Sequence, residues 1–332
     1  MTETDQISFV CCVESGWLET QTVRMIESLR LWGGKFANAP VYAVTPRLGP
    51  PITRKTREIF ERHQVHHLIL NDQNKYSWNK FLNKLTALTA VEKIAQTDSI
   101  AWLDSDLVIV GEPDCLELDE ITDFRACASD ADSNIVITHA QEQNYSYWQE
   151  ICQIVDLDVE KLPWIESQPE TIPIRLYWNS GVFVYRRSTN FAKYYLQTFL
   201  KLCDAQIASK NCGFFFNDQV VLGLTVIKMG LAWDTLPYSH NFALGSKVPT
   251  DWYDGDKLKT AKIIHYHDAM WDWFWDRFLE ILRPNQPEVV IWLEKLGAMR
   301  NEAPVQWKAT KKVLDLVRSR QELAYSKSCK TL

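Results

Sequence analysis

The sequence predicts an α/β protein with a mixed, mainly parallel sheet flanked by helices and a helical carboxyl-terminal extension. Three observations carry this. Short apolar runs alternate with amphipathic stretches from residue 7 to about 104, as in a doubly wound sheet. The later apolar runs are fewer and less regular, and the final segment changes composition altogether.

ISFVCCV (7–13) is continuous and apolar, as suits a strand buried on both faces. The next helix carries Val23, Met25, Ile26, Leu29 and Trp32 on one stripe, with Thr20 as its expected cap and Gly33–Gly34 as its stop. PVYAVTP (40–46) is a second strand, 54–62 a polar helix and VHHLIL (65–70) a third strand. Phe81, Leu82, Leu85, Leu88, Val91 and Ile94 mark a helix running into the strand SIAWLD (99–104). Beyond it, FRACAS (124–129), GVFVYRR (181–187) and KIIHYH (262–267) read as strands, and 189–204 and 218–229 as helices. Residues 305–330 hold seven Lys or Arg against Asp315 and Glu322. With Val313, Leu316, Val317 and Leu323 they form a basic amphipathic helix, either packed on the domain or turned to a membrane surface or partner. The expected division is a catalytic unit over 1–275, with a nucleotide-binding part to about 130 and an acceptor part from 131, then an extension over 276–332.

The chain has 332 residues, 46% hydrophobic and 23% charged, enough for a substantial core and outside the range of disordered chains. A formal net charge of -6 gives no basic face for nucleic acid, and none is expected as a partner. MTETDQISFV lacks the basic and apolar regions of a signal peptide, and no apolar run is long enough to span a bilayer. Eight cysteines without a CxxC pair read as reduced thiols, so a cytoplasmic location is expected. GxGxxG, GxxxxGK[ST], GxSxG and HExxH are all absent. His63, His66 and His67 have helix-like spacing but straddle a helix-to-strand junction, which argues against a metal site.

The sharpest local feature is IAWLDSDLVIV (100–110), an apolar strand interrupted by Asp104-Ser105-Asp106. In extended chain the two carboxylates face one side and Ser105 the other. Converging carboxylates repel unless a cation neutralises them, and a hard divalent ion suits such an oxygen pair. The alternative is a polar turn. Trp178-Asn179-Ser180-Gly181 opens a strand with small polar residues, Asn217-Asp218-Gln219 opens a helix, and His265 lies in an apolar strand.

In this order the pieces resemble the nucleotide-sugar glycosyltransferases of the GT-A fold, closest to glycosyltransferase family 8. The matching motifs are Asp104-Ser105-Asp106, Asn179-Ser180-Gly181, Asp218-Gln219, Leu236-Pro237-Tyr238-Ser239-His240-Asn241 and Ile264-His265, spread over about 7–270. The resemblance implies a Rossmann-like GT-A sheet and hexosyl transfer from a UDP-linked donor, with retention, to a glycan, lipid-linked or small-molecule acceptor. It implies Mn²⁺ or Mg²⁺ on Asp104, Asp106 and His265. Val13, Glu14, Ser15, Lys84, Asp104, Ser105, Asn179, Ser180 and Gly181 would bind the donor. Asp130, Asp218 and Gln219 would serve catalysis at the sugar ring.

The family's late HxxGxxKPW is replaced here by HYHDAMWDWFW, so the diphosphate-binding lysine is missing. His267, Lys247 and Arg277 are the candidate replacements. Asp268 and Asp272 near the acceptor mouth leave an inverting route open. Trp178, Trp271, Asp272 and Trp273 form a possible acceptor platform, since aromatic faces stack on sugars; a hydrophobic anchor is the other reading. A nucleotidyltransferase would need a Gly-rich phosphate loop after the first strand, which SGWLET does not supply. A binding protein that kept the fold without catalysis is the remaining alternative.

Overall fold

The computed structural model describes residues 7–72, 74–138, 144–211, 213–214, 217–254 and 256–332. The start of the chain before Ile7, and one of the eight cysteines, Cys212, lie outside the described residues.

In chain order the strands are β1 (Ile7–Cys12), β2 (Val41–Arg47), β3 (Val65–Asp72), β4 (Ser99–Leu103), β5 (Leu107–Ile109), β6 (Phe124–Ala128), β7 (Trp164–Glu166), β8 (Pro173–Arg175), β9 (Trp178–Arg186), β10 (Ile207–Ala208), β11 (Trp233–Leu236), β12 (Phe242–Ala243), β13 (Ile263–His265) and β14 (Lys330–Thr331). The helices are α1 (Trp17–Trp32), α2 (Arg54–Arg62), α3 (Leu82–Glu92), α4 (Tyr145–Ile154), α5 (Phe191–Ala205), α6 (Asn217–Met229), α7 (Lys257–Thr260), α8 (Trp275–Leu282), α9 (Pro287–Leu296) and α10 (Val305–Ser328).

Seven strands form the main sheet in the order β11-β6-β9-β4-β1-β2-β3. All neighbours are parallel except β9, which runs antiparallel to both β4 and β6. The expected mixed, mainly parallel sheet is therefore present. The period of two along a strand sends alternate residues to opposite faces. On β1, Val10 and Cys12 pack into one core with Leu85, Leu88 and Val91 of α3. Phe9 and Cys11 pack into the other, with Met25, Ile26 and Leu29 of α1. A third core joins β12 and β13 to α8 and α9 through Phe242, Ile264, Phe278 and Val290.

Two features position the site. Because β9 opposes β4, with Leu103 paired to Val182, the exit of one strand and the entrance of the other share an edge. Because β13 is antiparallel to β5, with His265 paired to Leu107, the late strand returns beside residue 106.

Some expectations shift. Thr20 does not cap α1 but lies within it, its hydroxyl donating to the Arg300 carbonyl at 2.9 Å. The cap position belongs to Gly16, at φ +106. α4 has no counterpart in the sequence reading. His66 stacks on Tyr42 and His67 hydrogen-bonds Thr45, so these histidines do not converge. The tail is helical as expected, but its apolar stripe does not pack. Val313, Leu316, Val317 and Leu323 are exposed, while Lys311 and Arg318 turn toward the domain and Tyr325 is buried. The seven described cysteines are all free, and no described helix is long and apolar enough to cross a membrane.

Candidate active site

Asp104-Ser105-Asp106 leaves strand geometry between β4 and β5. The carboxylates consequently part rather than face one side. The Asp104 N–H donates to the Gly181 carbonyl at 2.8 Å, and its Oδ1 accepts from Trp102 Nε1 at 2.7 Å. Lys84 Nζ lies 3.4 Å from the same oxygen. Asp106 turns the other way, its Oδ2 standing 3.2 Å from His265 Nε2.

His265 is oriented from behind by Asn241, whose Oδ1 accepts from Nδ1 at 3.0 Å. That assignment directs Nε2 at Asp106. His267 follows two residues later at φ +46, a left-handed turn that stacks its ring on His265 with centroids 4.2 Å apart. Asp106, His265 and His267 each bring one donor atom within 4.8 Å of the others. Burial works against the His265 imidazolium, yet Asp106 outweighs it and raises its pKa. Partial burial would lift Asp106 too, but His265 holds it at about 2. His267 is driven down to about 4 by burial and by the His265 charge. Asp104 is raised by desolvation despite Lys84, with Asp106 adding to the rise.

These residues fit a divalent ion. Two cis ligands of an octahedral ion at about 2.1 Å lie about 3 Å apart, close to the Asp106–His265 separation. A carboxylate and two imidazoles suit Mn²⁺ or a similar ion, and Asn241 supplies the outer hydrogen bond such histidines require.

Beside the cluster opens a cavity of about 560 Å³. Asp130, Asn179, Lys247, Trp252, His267 and Asp268 are among its walls. Behind Asn179, Lys84 is buried and donates to Ser180 O and Oγ at 2.8 Å each and to Asp218 at 3.1 Å. Burial opposes the ammonium, but Asp104 and Asp218 outweigh it and raise its pKa. Gly181 is required here: a Cβ would come within 2.9 Å of His265 Cε1.

Residues 9–230 match the Rhodobacterales glycosyltransferase domain. The chain belongs to that glycosyltransferase family. Sugar transfer therefore prevails over nucleotidyl transfer, as the five motifs implied. The chain's fold is also that of apo GlyE from Streptococcus pneumoniae TIGR4, at 14% identity and a TM-score of 0.50 over 90% of this chain and 66% of that one. The galactosyltransferase LgtC, solved with donor and acceptor sugar analogs, matches at 13% identity and a TM-score of 0.48, covering 91% of this chain and 99% of that one. The bifunctional glycosyltransferase WbbM matches at 12% identity and 0.48, covering 88% of this chain. The glycosyltransferase spans only 52% of WbbM and 66% of GlyE. No curated protein matches it in sequence.

The glycosyltransferase brings together Lys84, Asp104, Asn179, Ser180, Gly181, Asp218 and Gln219, and separately Asp106 with His265. Some assigned residues stand elsewhere than expected. Asp104 lies apart from the ligand-capable group of Asp106, His265 and His267, with its Oδ1 accepting from Trp102 and facing Lys84. Ser105 faces away from the cavity, donating to the Cys12 carbonyl at 2.9 Å and meeting Thr22 on α1. Val13 is fully buried and both its backbone groups serve β2, the N–H on Val44 and the carbonyl on Thr45. Trp178 is also fully buried and packs on Phe124 and Trp233, so it presents no face to an acceptor. Trp271 packs against Trp17 with the rings tilted at 56°, while Asp272 and Trp273 are exposed, and none of the three lines the cavity. Asp218 and Gln219 open α6 behind the wall: Asp218 faces Lys84, and Gln219 Oε1 accepts from the Ser180 N–H at 3.3 Å. Asp130 lines the cavity itself, with its pKa raised by burial and by Glu170. Glu14 is clamped by Arg47, Asn83 and Lys311.

Of the cations weighed for the diphosphate, Lys247 lines the cavity, whereas Arg277 pairs with Glu280 on exposed α8. Trp252, Asp132 and Tyr238 were missed as cavity walls. They sit in loops and turns with no periodicity to mark them. His267 did carry a signal, its two-residue spacing from His265.

Proposed function

We propose that this glycosyltransferase moves a hexosyl group from a UDP-linked donor, with a divalent ion, to an acceptor hydroxyl with retention of configuration. The observation that carries this reading is the convergence of Asp106, His265 and His267, backed by Asn241, beside the Asp130–Asn179 cavity. A divalent ion held there would neutralise the donor diphosphate and the charge on the leaving group. Lys247 supplies the cation that the missing family lysine would have provided. Asn179 and Asp130 meet the donor sugar, and Trp252 offers a ring face to the acceptor, whether glycan, lipid-linked or small molecule.

Retention is supported by which groups remain available. Asp218 is engaged by Lys84 and Ser180, and the Gln219 amide is a poor nucleophile, which favours same-face attack directed by the departing phosphate. Asp268, the candidate inverting base, accepts from the Ser246 N–H at 2.9 Å and from its hydroxyl at 2.5 Å. Both bonds engage the carboxylate on the Ser246 side.

The organisation taken with this function is a catalytic unit through residue 275, nucleotide-binding to about 130 and acceptor-binding beyond it, carrying the extension 276–332. A cytoplasmic setting accords with the free thiols. The outward face of α10 sets Val313, Val317 and Leu323 among Arg320 and Lys327, a pattern suited to peripheral contact with anionic lipid.

The test is a thermal-shift panel of UDP, GDP, CDP and dTDP with and without Mn²⁺, on wild type and Asp106→Ala. UDP is expected to raise Tm only with Mn²⁺ and only in wild type. A shift by another nucleotide overturns the donor assignment, and a metal-independent shift overturns the ion's role.

A further inference from the structure

A second cavity, of about 340 Å³, lies between the start of α1 and the inner side of α10. Ser15, Trp17, Trp307, Lys308, Lys311 and Lys312 are among its walls. Three independent features of it point to an anion. First, α1 is 16 residues long and begins with no side-chain cap, so its leading N–H groups and the positive end of its dipole are open to a ligand. Second, Ser15 is only 3% exposed, and its hydroxyl, shielded from water, has no hydrogen-bond partner among the described residues. A buried hydroxyl in that condition is destabilising unless an acceptor reaches it. Third, α10 contributes three lysines to the wall. Lys311 pairs with Glu14 and Asp315, while Lys308 and Lys312 are exposed and make no ion pair among the described residues. Asp315 also lines the cavity but is held by Lys311 and Arg318. The unengaged groups on this wall include the Ser15 hydroxyl and the Lys308 and Lys312 ammonium groups, all able to donate to an anion.

We propose that this cavity is a phosphate seat, separate from the Asp106–His265–His267 cluster and completed by α10. Helix N–H groups and the Ser15 hydroxyl would bind phosphate oxygens, and Lys308 and Lys312 would neutralise the charge. Trp17 and Trp307 supply ring faces for whatever carries the phosphate. Only the identity of that carrier rests on the proposed function: it is either the donor nucleotide or a phosphorylated acceptor.

The experiment is a titration with inorganic phosphate in EDTA at constant ionic strength, followed by thermal shift and calorimetry. It compares wild type, Lys308→Ala/Lys312→Ala, Ser15→Ala and His265→Ala. Saturable binding is expected in wild type and, unchanged, in His265→Ala. The double lysine variant should bind at least tenfold more weakly, and Ser15→Ala several-fold more weakly. The altered lysines are exposed, so this variant is expected to fold. No saturable binding in wild type, equal affinity in the lysine variant, or loss of binding in His265→Ala each overturns the seat. Repeating the titration with the most stabilising nucleotide and Mn²⁺ present identifies the carrier. Competition assigns the seat to the donor's phosphates, and additive binding to a phosphate on the acceptor. Because the first arm excludes metal, failure of the Mn²⁺-dependent nucleotide panel leaves this result standing, and the converse also holds.

Discussion

Lys84 stands among Leu82, Leu85 and Leu88 on α3, and its ammonium ties Asp104, Ser180 and Asp218 into one buried group. Without it Asp218, almost fully buried, would be an unpaired charge in the interior. Glu14 is a comparable case at the β1 exit. Burial alone would raise its pKa, yet Arg47, with Lys311 and Arg318, outweighs that and holds it at about 2. The sign follows from this depression. The unfolded chain takes up the proton near the ordinary glutamate value, and the folded chain only near pH 2, so Glu14 contributes its stability above about pH 4.5. That contribution, roughly 3 kcal/mol from the size of the shift, is lost as pH falls toward 2. Urea denaturation of wild type and Glu14→Gln is therefore expected to differ by a few kcal/mol at neutral pH and to converge near pH 2. A gap independent of pH would mean that packing, not charge, holds Glu14.

Among the elements, the antiparallel entry of β9 does most to shape the site. It lets Gly181 bind the Asp104 N–H with its carbonyl while lying against His265. A methyl at 181 would meet His265 Cε1 at 2.9 Å and Asn179 Oδ1 at 3.0 Å, both closer than van der Waals contact allows. Gly181→Ala is expected to displace His265 from Asp106 and weaken Mn²⁺ affinity about tenfold or more, with far-UV circular dichroism unchanged. Outer contacts of metal-binding histidines have effects of this size. Unaltered Mn²⁺ binding by calorimetry would count against His265 as a ligand.

Across the whole molecule, α10 links distant parts of the chain. Lys311 reaches Glu14 at the exit of β1, Tyr325 is buried against Tyr76, Trp78 and Phe214, and β14 pairs with β10. Its inner side is therefore part of the site region while its outer side remains free. If that outer side meets lipid, the chain should co-sediment with anionic vesicles but not with neutral ones, despite a net charge of -6. Val313→Asp/Val317→Asp, both at exposed positions outside the cavity between α1 and α10, should abolish co-sedimentation without lowering Tm. Equal sedimentation of the variant would remove the lipid reading of α10.

The strand–helix alternation and the order of five short motifs determined the fold class and the transferase chemistry from sequence alone. Both depend on local patterns: periods of two and 3.6 residues, and polar residues breaking apolar runs. Asp106, Asn179 and His265 stand out in the sequence for that reason, whereas Lys84 is singled out only by the family resemblance. What the tertiary structure decided was direction. Asp104 and Asp106 are two residues apart, and an extended chain would aim them alike, but the turn between β4 and β5 sends one to Lys84 and the other to His265. The sequence could not show this, because the partners come from α3 and β13 and only the antiparallel pairings bring them near. Trp178 reads like a platform residue in sequence yet is sealed in the core by Phe124 and Trp233. The apolar stripe of α10 reads like a packing face yet points outward, because Tyr325 and β14 fix the helix by its other side.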